Sequence, residues 1–357
     1  MNLSESIIEL YNDEPKCAQH IKLTYTSEKD FYFKRIKHGK GFIYQDINKT
    51  SVTDTFLVDW FKSLAIPPSW TSVAIVKNEN YHLLSVGHDE AGRKQYKYHP
   101  KWREVRDKIN SYRLIPFGES LPSIRRKVSS ILKENVLSKQ MVIASIVRLI
   151  DKTDIRVGNE YYADHNKSYG ATTLLKKHLE IEKDTLHFEF RGKSGKEQEI
   201  ILKDKLLAKI LEEISDEPGK TLFSFDSENH VHTQITSNDI NQFLQDISGH
   251  QISAKIFRTW GGSLEALDNA LKQSRTNKEI VLNSLYETVS EKLGNTPGMA
   301  RDHYIHVDLL DLVRQNKLTS FVENVETTQV SGLNTKEQIL LSTLKKLAQT
   351  NLAFLAS

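Results

Sequence analysis

The chain has 357 residues, enough for two domains with sizeable cores. Lys and Arg outnumber Asp and Glu by 49 to 46, a formal +3, so bulk charge does not by itself announce a polyanionic partner. A single cysteine, Cys17, excludes a disulfide framework or a Cys-based zinc site within the chain, and the most apolar stretch, Met141 to Ile150, is broken by Arg148 and too short to span a bilayer.

In chain order, the first twenty residues carry Glu5, Glu9, Asp13 and Glu14 without a basic start or an apolar core, so no secretory signal is expected. The expectation is a soluble cytoplasmic protein with no membrane partner. From Phe31 to His99, short alternating runs separated by turn residues predict strands, with one helix near Asp54 to Leu64. Within this region Arg35 to Lys40 is a basic run. Lys94-Gln95-Tyr96-Lys97-Tyr98 interleaves basic and aromatic residues at strand spacing, which puts Lys94, Tyr96 and Tyr98 on one face and Gln95 and Lys97 on the other. Such a strip can touch phosphates and lay phenols on sugars or base edges, although half-buried core tyrosines read equally well in isolation.

After Pro100, helical patterns dominate. Val142, Ile146, Leu149 and Ile150 form one apolar stripe before the chain reaches Ile155-Arg156-Val157-Gly158. Three strands are predicted at Leu179 to Glu182, Leu186 to Phe190 and Glu199 to Leu202, with Lys193 in the turn Arg191-Gly192-Lys193-Ser194-Gly195-Lys196. Leu282 to Leu293 reads as a helix ended by Gly294, and Thr296-Pro297 caps and opens the next, with Tyr304 about two turns inside it. A polar linker, Thr327 to Asn334, precedes a last helix, Lys336 to Phe354. The expected division is 1–98, a small strand-rich DNA-binding domain, and 99–357, a larger mainly helical domain with a three-stranded sheet near 179–202.

Several motifs lead nowhere. Gly87 to Lys94 resembles a phosphate loop, but no Lys-Ser/Thr pair directly follows its second glycine, and Gly192-Lys193-Ser194 lacks the earlier glycine; no nucleotide site follows. Neither His230-Val231-His232 nor His303-Tyr304-Ile305-His306 has zinc-ligand spacing, so surface or structural histidine is the better reading. What remains is an ordered set: Arg156, Lys193, Arg258 in Lys255-Ile256-Phe257-Arg258-Thr259-Trp260, and Tyr304. A phenol nucleophile, two guanidinium forks for a pentacoordinate phosphate and an ammonium for the leaving oxygen are what metal-free transesterification of a phosphodiester requires. Each residue alone reads as packing or a salt bridge; the set points to a DNA-cutting tyrosine enzyme.

That order resembles the poxvirus-like and bacterial type IB DNA topoisomerases. So do Arg35-Ile36-Lys37-His38-Gly39-Lys40-Gly41-Phe42, Ile66-Pro67-Pro68-Ser69-Trp70, Gly92 to Tyr96, Tyr98-His99-Pro100-Lys101-Trp102-Arg103 and Asp154 to Asn159. The resemblance implies an α+β architecture of the tyrosine recombinase and type IB topoisomerase kind, closing as a clamp around duplex DNA. It implies that Tyr304 forms a 3′-phosphotyrosyl link and expels a 5′-hydroxyl. Lys193 would be the general acid, with Arg258 assisting and Arg156 stabilising the transition state. Asn295 stands where poxvirus members have a histidine that hydrogen-bonds a non-bridging oxygen; an amide can donate that bond but adds no charge. The DNA-contacting residues expected are Lys94, Gln95, Tyr96, Lys97, Tyr98, Arg35, Lys37, Lys40 and Lys255. The expected partner is double-stranded DNA, bound by a monomer without metal, ATP or other cofactor. Tyrosine recombinases, the alternative reading, typically carry His three residues before the second arginine, where this chain has Lys255. A non-catalytic DNA-binding relative would not need every reactive group.

Overall fold

A computed structural model of the chain describes residues 3–134, 136–216, 219–226, 232–275 and 280–352. It divides into two compact units, Met1–Ser111 and Tyr112–Ser357. His230, Val231 and Phe354, which figure in the sequence reading, lie outside the described residues. Among those described, no helix is long and apolar enough to cross a membrane.

The first unit opens with two helices that periodicity had not singled out, α1 (Leu3–Asn12) and α2 (Glu14–His20). Five strands follow: β1 (Phe31–His38), β2 (Gly41–Asp46), β3 (Thr71–Val76), β4 (Leu83–His88) and β5 (Lys94–Tyr98). They form an antiparallel sheet of order β2-β1-β3-β4-β5. Helix α3 (Thr55–Ser63), capped by Asp54, lays Phe61 on Phe33, Tyr44, Val73 and Ile75 to make the core. The helix α4 (Pro100–Tyr112) packs on this unit, so the division into compact units falls at 111/112, beside the expected domain division at 98/99. The reason is packing: Trp102, Val105 and Ile109 are buried, the Trp102 ring meets His82 at 4.6 Å, and Arg106 donates to the carbonyls of Leu10 and Tyr11.

In the second unit come α5 (Leu114–Glu134), α6 (Lys139–Thr153) and α7 (Glu160–Asn166). The antiparallel sheet β6-β7-β8 follows, with β6 (Leu179–Glu182), β7 (Thr185–Arg191) and β8 (Glu197–Lys203). Leu186, Phe188 and Phe190 alternate onto its buried face, as the period of two requires. Helix α6 departs from the expected single stripe. Met141 to Val147, Leu149 and Ile150 are all buried, so it is enclosed on nearly every side.

The rest of the unit is α8 (Lys205–Asp216), the short pair β9 (Ser224–Asp226) and β10 (His232–Gln234), and α9 (Ser237–Ser248). Then come α10 (Lys255–Arg275), α11 (Leu282–Leu293), α12 (Pro297–His303), α13 (Val307–Arg314), α14 (Leu318–Glu323) and α15 (Thr335–Asn351). Helix α15 is bound into the core by Glu337, 3 % exposed, which accepts from Arg125 at 2.8 and 3.0 Å, while Arg125 also grips Asp151 at 2.9 Å. An arginine between two carboxylates satisfies both of its edges; removing either acid would leave a half-buried charge short of a partner.

Candidate active site

Four of the five candidate catalytic residues converge in the second unit. Helix α6 ends at Asp154, whose left-handed φ of 55° turns the chain outward and leads directly to Arg156. The Arg156 and Val157 carbonyls accept from the Ala171 and Thr172 amides, both at 2.7 Å, which fixes the backbone under the guanidinium. Arg258 sits in the first turn of α10 and is 4 % exposed. Its guanidinium donates to the carbonyls of Asp154 and Leu293, the latter at 2.8 Å. Gly294, at φ 59°, ends α11; Asn295 follows, its amide held by the Ser290 carbonyl at 2.8 Å. Thr296 caps α12 and Pro297 opens it, as capping chemistry predicts.

Tyr304 is the residue that closes α12, not one inside a longer helix: at φ −130° it leaves helical geometry after seven residues. Its carbonyl lies so close to Gly262 of α10 that a Cβ there would collide with it, and at neighbouring Gly261 a Cβ would collide with the Asp154 carboxylate. This glycine pair lets α10 approach both the Arg156 and Tyr304 segments. Two residues on, His306 is 1 % exposed and donates its backbone N–H to Ser263 at 3.0 Å. Burial pulls its imidazole down to about 4, so it is a neutral core histidine.

Asn295 is the centre of the cluster. Its amide oxygen accepts from Arg156 and, at 3.4 Å, from Arg258. Two guanidinium donors can only face the oxygen, which settles the orientation of the amide and leaves Nδ2 buried without a partner. The Arg258 guanidinium lies 4.9 Å from the centre of the Tyr304 ring, and its Nε is likewise buried and unpaired. Burial alone would raise the Tyr304 phenol. The charge of Arg258 and a hydrogen bond from it, followed by the charges of Arg156 and Lys255, outweigh that and hold it below the ordinary tyrosine value. Burial, then the like charge of Arg258, lowers Arg156, yet a guanidinium remains cationic. A phenol held below its usual value and the unpaired N–H donors of Asn295 and Arg258 thus lie together among cationic groups. Beneath it Asp154, pushed up to about 6 by burial against the pull of Lys292 and Arg258, lines a cavity of about 160 Å³ with both arginines.

Lys193 is not brought into contact with this cluster. It occupies the tight turn between β7 and β8, exposed, with no hydrogen bond or ion pair among the described residues. The side chain of that turn which does reach the cluster is Lys196, whose Nζ donates to the Asn295 carbonyl at 2.7 Å. Its signal was its place in the same turn, three residues on. Tyr161 and Tyr162 on α7, just after Arg156, are 62 % and 56 % exposed.

The proposed DNA-contacting strip holds its expected alternation. Lys94, Tyr96 and Tyr98 are exposed on β5, the two rings stacked at 6.0 Å, with Gln95 and Lys97 half-buried on the other face. The Gln95 amide is engaged by Asp89 at 2.9 Å. Lys37, Lys40 and Lys255 are exposed. Arg35 is a correction. It points into the first unit, 9 % exposed, donating to the carbonyls of Ile66, Pro67 and Trp70 at 2.8 to 2.9 Å with its guanidinium 4.1 Å from the Phe42 ring centre. Three backbone acceptors and a ring face consume the fork that a phosphate would need, so Arg35 ties the Ile66 to Trp70 loop to the sheet. Neutralising Lys94 and Lys97 together is expected to weaken duplex binding alike on all sequences and to lower the salt slope by about one for each phosphate that is no longer neutralised. A changed sequence preference at an unchanged slope would make them base readers.

Residues 99–327 match the family model of the eukaryotic DNA topoisomerase I catalytic core, and residues 41–89 match the bacterial DNA topoisomerase IB N-terminal domain. The chain therefore belongs to the DNA topoisomerase I family, of type IB. Among curated relatives, it is 27% identical over 302 residues to DNA topoisomerase 1B of Acanthamoeba polyphaga mimivirus, covering 81% of this chain and 89% of that protein. With DNA topoisomerase 1B of Vaccinia virus (strain Copenhagen) the identity is 23% over 299 residues, covering 80% and 91%. Among solved structures, a XerH site-specific recombinase complex overlaps 55% of this chain and 51% of its own at 17% identity, with a TM-score of 0.34, a slight overlap.

Proposed function

We propose that this enzyme relaxes supercoiled duplex DNA by cutting one strand, letting the free end rotate and resealing it, with neither ATP nor metal. Tyr304, its proton given up to water under the pull of the neighbouring cations, attacks the scissile phosphorus as the phenolate. The Tyr304–phosphorus bond forms, the bond from phosphorus to the 5′-oxygen breaks, and the proton of the Lys193 ammonium passes to that oxygen. Arg156 and Arg258 bind the non-bridging oxygens, with the Asn295 Nδ2 donating a further bond. The phosphotyrosyl link conserves the energy of the broken ester, so the 5′-hydroxyl can displace the tyrosine without a nucleotide. Positive charge that Mg²⁺ supplies in other phosphoryl-transfer sites is supplied here by side chains.

The observation that carries the reading is the shared amide: one Asn295 oxygen draws two arginines together beside a phenol held below its usual value. A complete set of reactive groups in one chain supports action as a monomer on duplex DNA, and a DNA substrate supports the cytoplasm as its place of work. The test is incubation with positively and with negatively supercoiled plasmid in EDTA without ATP. Both should relax through a ladder of intermediates; strict dependence on Mg²⁺ or ATP would overturn the mechanism.

A further inference from the structure

The turn that carries Lys193 is anchored to the phosphate-binding cluster three residues further on. Lys196 closes the turn through its backbone, its carbonyl accepting from the Gly192 N–H at 2.7 Å, while its side chain leaves the β7–β8 ladder and donates to the main-chain carbonyl of Asn295 at 2.7 Å. Between these points the chain is tightly wound, with Ser194 and Gly195 both left-handed at φ 61° and 73°. Gln198, next on the same strand face as Lys196, lies against Gly294 so closely that any side chain at Gly294 would strike its amide. The ladder itself pairs Arg191 with Glu197 and does not need the Lys196 ammonium. A long, flexible lysine stem is therefore held at the residue whose amide gathers the two arginines, while Lys193, with no hydrogen bond or ion pair among the described residues, stands on the same short turn.

We propose that Lys196 is a positioning residue for the proton-transfer step. By fixing the turn to the Asn295 main chain, it sets the reach of the Lys193 ammonium relative to the phosphate that Asn295 and the arginines would hold. Lys196 itself, committed to a carbonyl, is not the donor. This inference rests on Lys193 being the general acid. Loss of a charge-assisted hydrogen bond is of the order that slows a step about tenfold.

The test is single-turnover cleavage by the full-length enzyme of duplexes whose scissile 5′-bridging atom is either oxygen or sulfur, since a thiolate leaves without protonation. Lys196→Met is expected to cleave the oxygen strand about tenfold slowly and the sulfur strand at nearly the wild-type rate, with duplex affinity preserved. Lys196→Arg, which keeps a donor, should recover most of the loss. The double variant Lys193→Ala with Lys196→Met should be no slower than Lys193→Ala alone. Equal slowing of Lys196→Met on both strands, or multiplying defects in the double variant, overturns the positioning role while Lys193→Ala still shows sulfur rescue. Rescue in Lys196→Met but not in Lys193→Ala would make Lys196 the acid, and rescue in neither would remove the general-acid reading and this inference with it.

Discussion

Tyr304→Phe is expected to bind duplex DNA as wild type does and to form no denaturant-resistant protein–DNA adduct. The substitution removes one oxygen and little else. The ring, 7 % exposed, keeps its packing and its place 4.9 Å from the Arg258 guanidinium, and the backbone of Tyr304 stays fixed by its N–H to the Ala300 carbonyl and by the close approach of Gly262. Arg156 and Arg258 lose their hydrogen bonds to the phenol oxygen but keep the Asn295 amide oxygen as a common acceptor, and Arg258 also keeps the Asp154 and Leu293 carbonyls. Phosphate binding should therefore survive while covalent chemistry disappears. A gel under denaturing conditions reads this directly, since only a covalent link survives it. Adduct persisting in Tyr304→Phe would place the nucleophile on another residue and dissolve the mechanism above; adduct absent together with lost affinity would mean that the phenol binds DNA more than it attacks it.

How much of this site the sequence discloses depends on whether the governing interaction is local. Gly294 at the end of α11 and Thr296-Pro297 at the start of α12 were legible because helix capping is settled within a few residues. The end of α12 at Tyr304 was not. Nothing in Arg301-Asp302-His303 stops a helix; the turn is imposed from α10, where Gly262 meets the Tyr304 carbonyl and Ser263 takes the His306 N–H. Arg35 was misread because charge was counted along the chain and not by strand parity. It shares parity with buried Phe33 on β1, and that alternation already placed it on the inner face. The enclosure of α6 and the attachment of α4 to the first unit both depend on partners distant in sequence, to which a periodicity has no access. Lys196 is the opposite case: it stood in the quoted turn, but only the fold shows that the Asn295 carbonyl lies within its reach.

Asn295→Ala is expected to lower the cleavage rate by ~10²–10³, the loss typical of one donor to a developing oxyanion, about 2.7–4 kcal/mol. In the proposed mechanism the side chain has two jobs, one for each end of its amide. Its Nδ2, buried and unpaired, would donate to a phosphate oxygen; its Oδ1 accepts from Arg156 and Arg258 and keeps two like charges side by side. Alanine removes both, so the arginines lose their common acceptor as the donor disappears. Asn295→His returns a donor of similar reach, as in the poxvirus-like members, and should recover much of the loss; it does not return an acceptor for two guanidinium groups once its N–H faces the phosphate. Asn295→Asp does the reverse. It holds the arginines more strongly but offers no donor and sets a negative charge against the phosphate, so it should cleave no faster than alanine while keeping the arginines in place. The order of rates, Asn above His, with Ala and Asp both at the bottom, assigns the larger share to the Nδ2 donor. If Asp instead outruns Ala, organising the arginines is the main task. If Ala cleaves at the wild-type rate with cleavage shown to be limiting, Asn295 serves only to link α11 to α12, and stabilisation of the transition state rests on Arg156 and Arg258 alone.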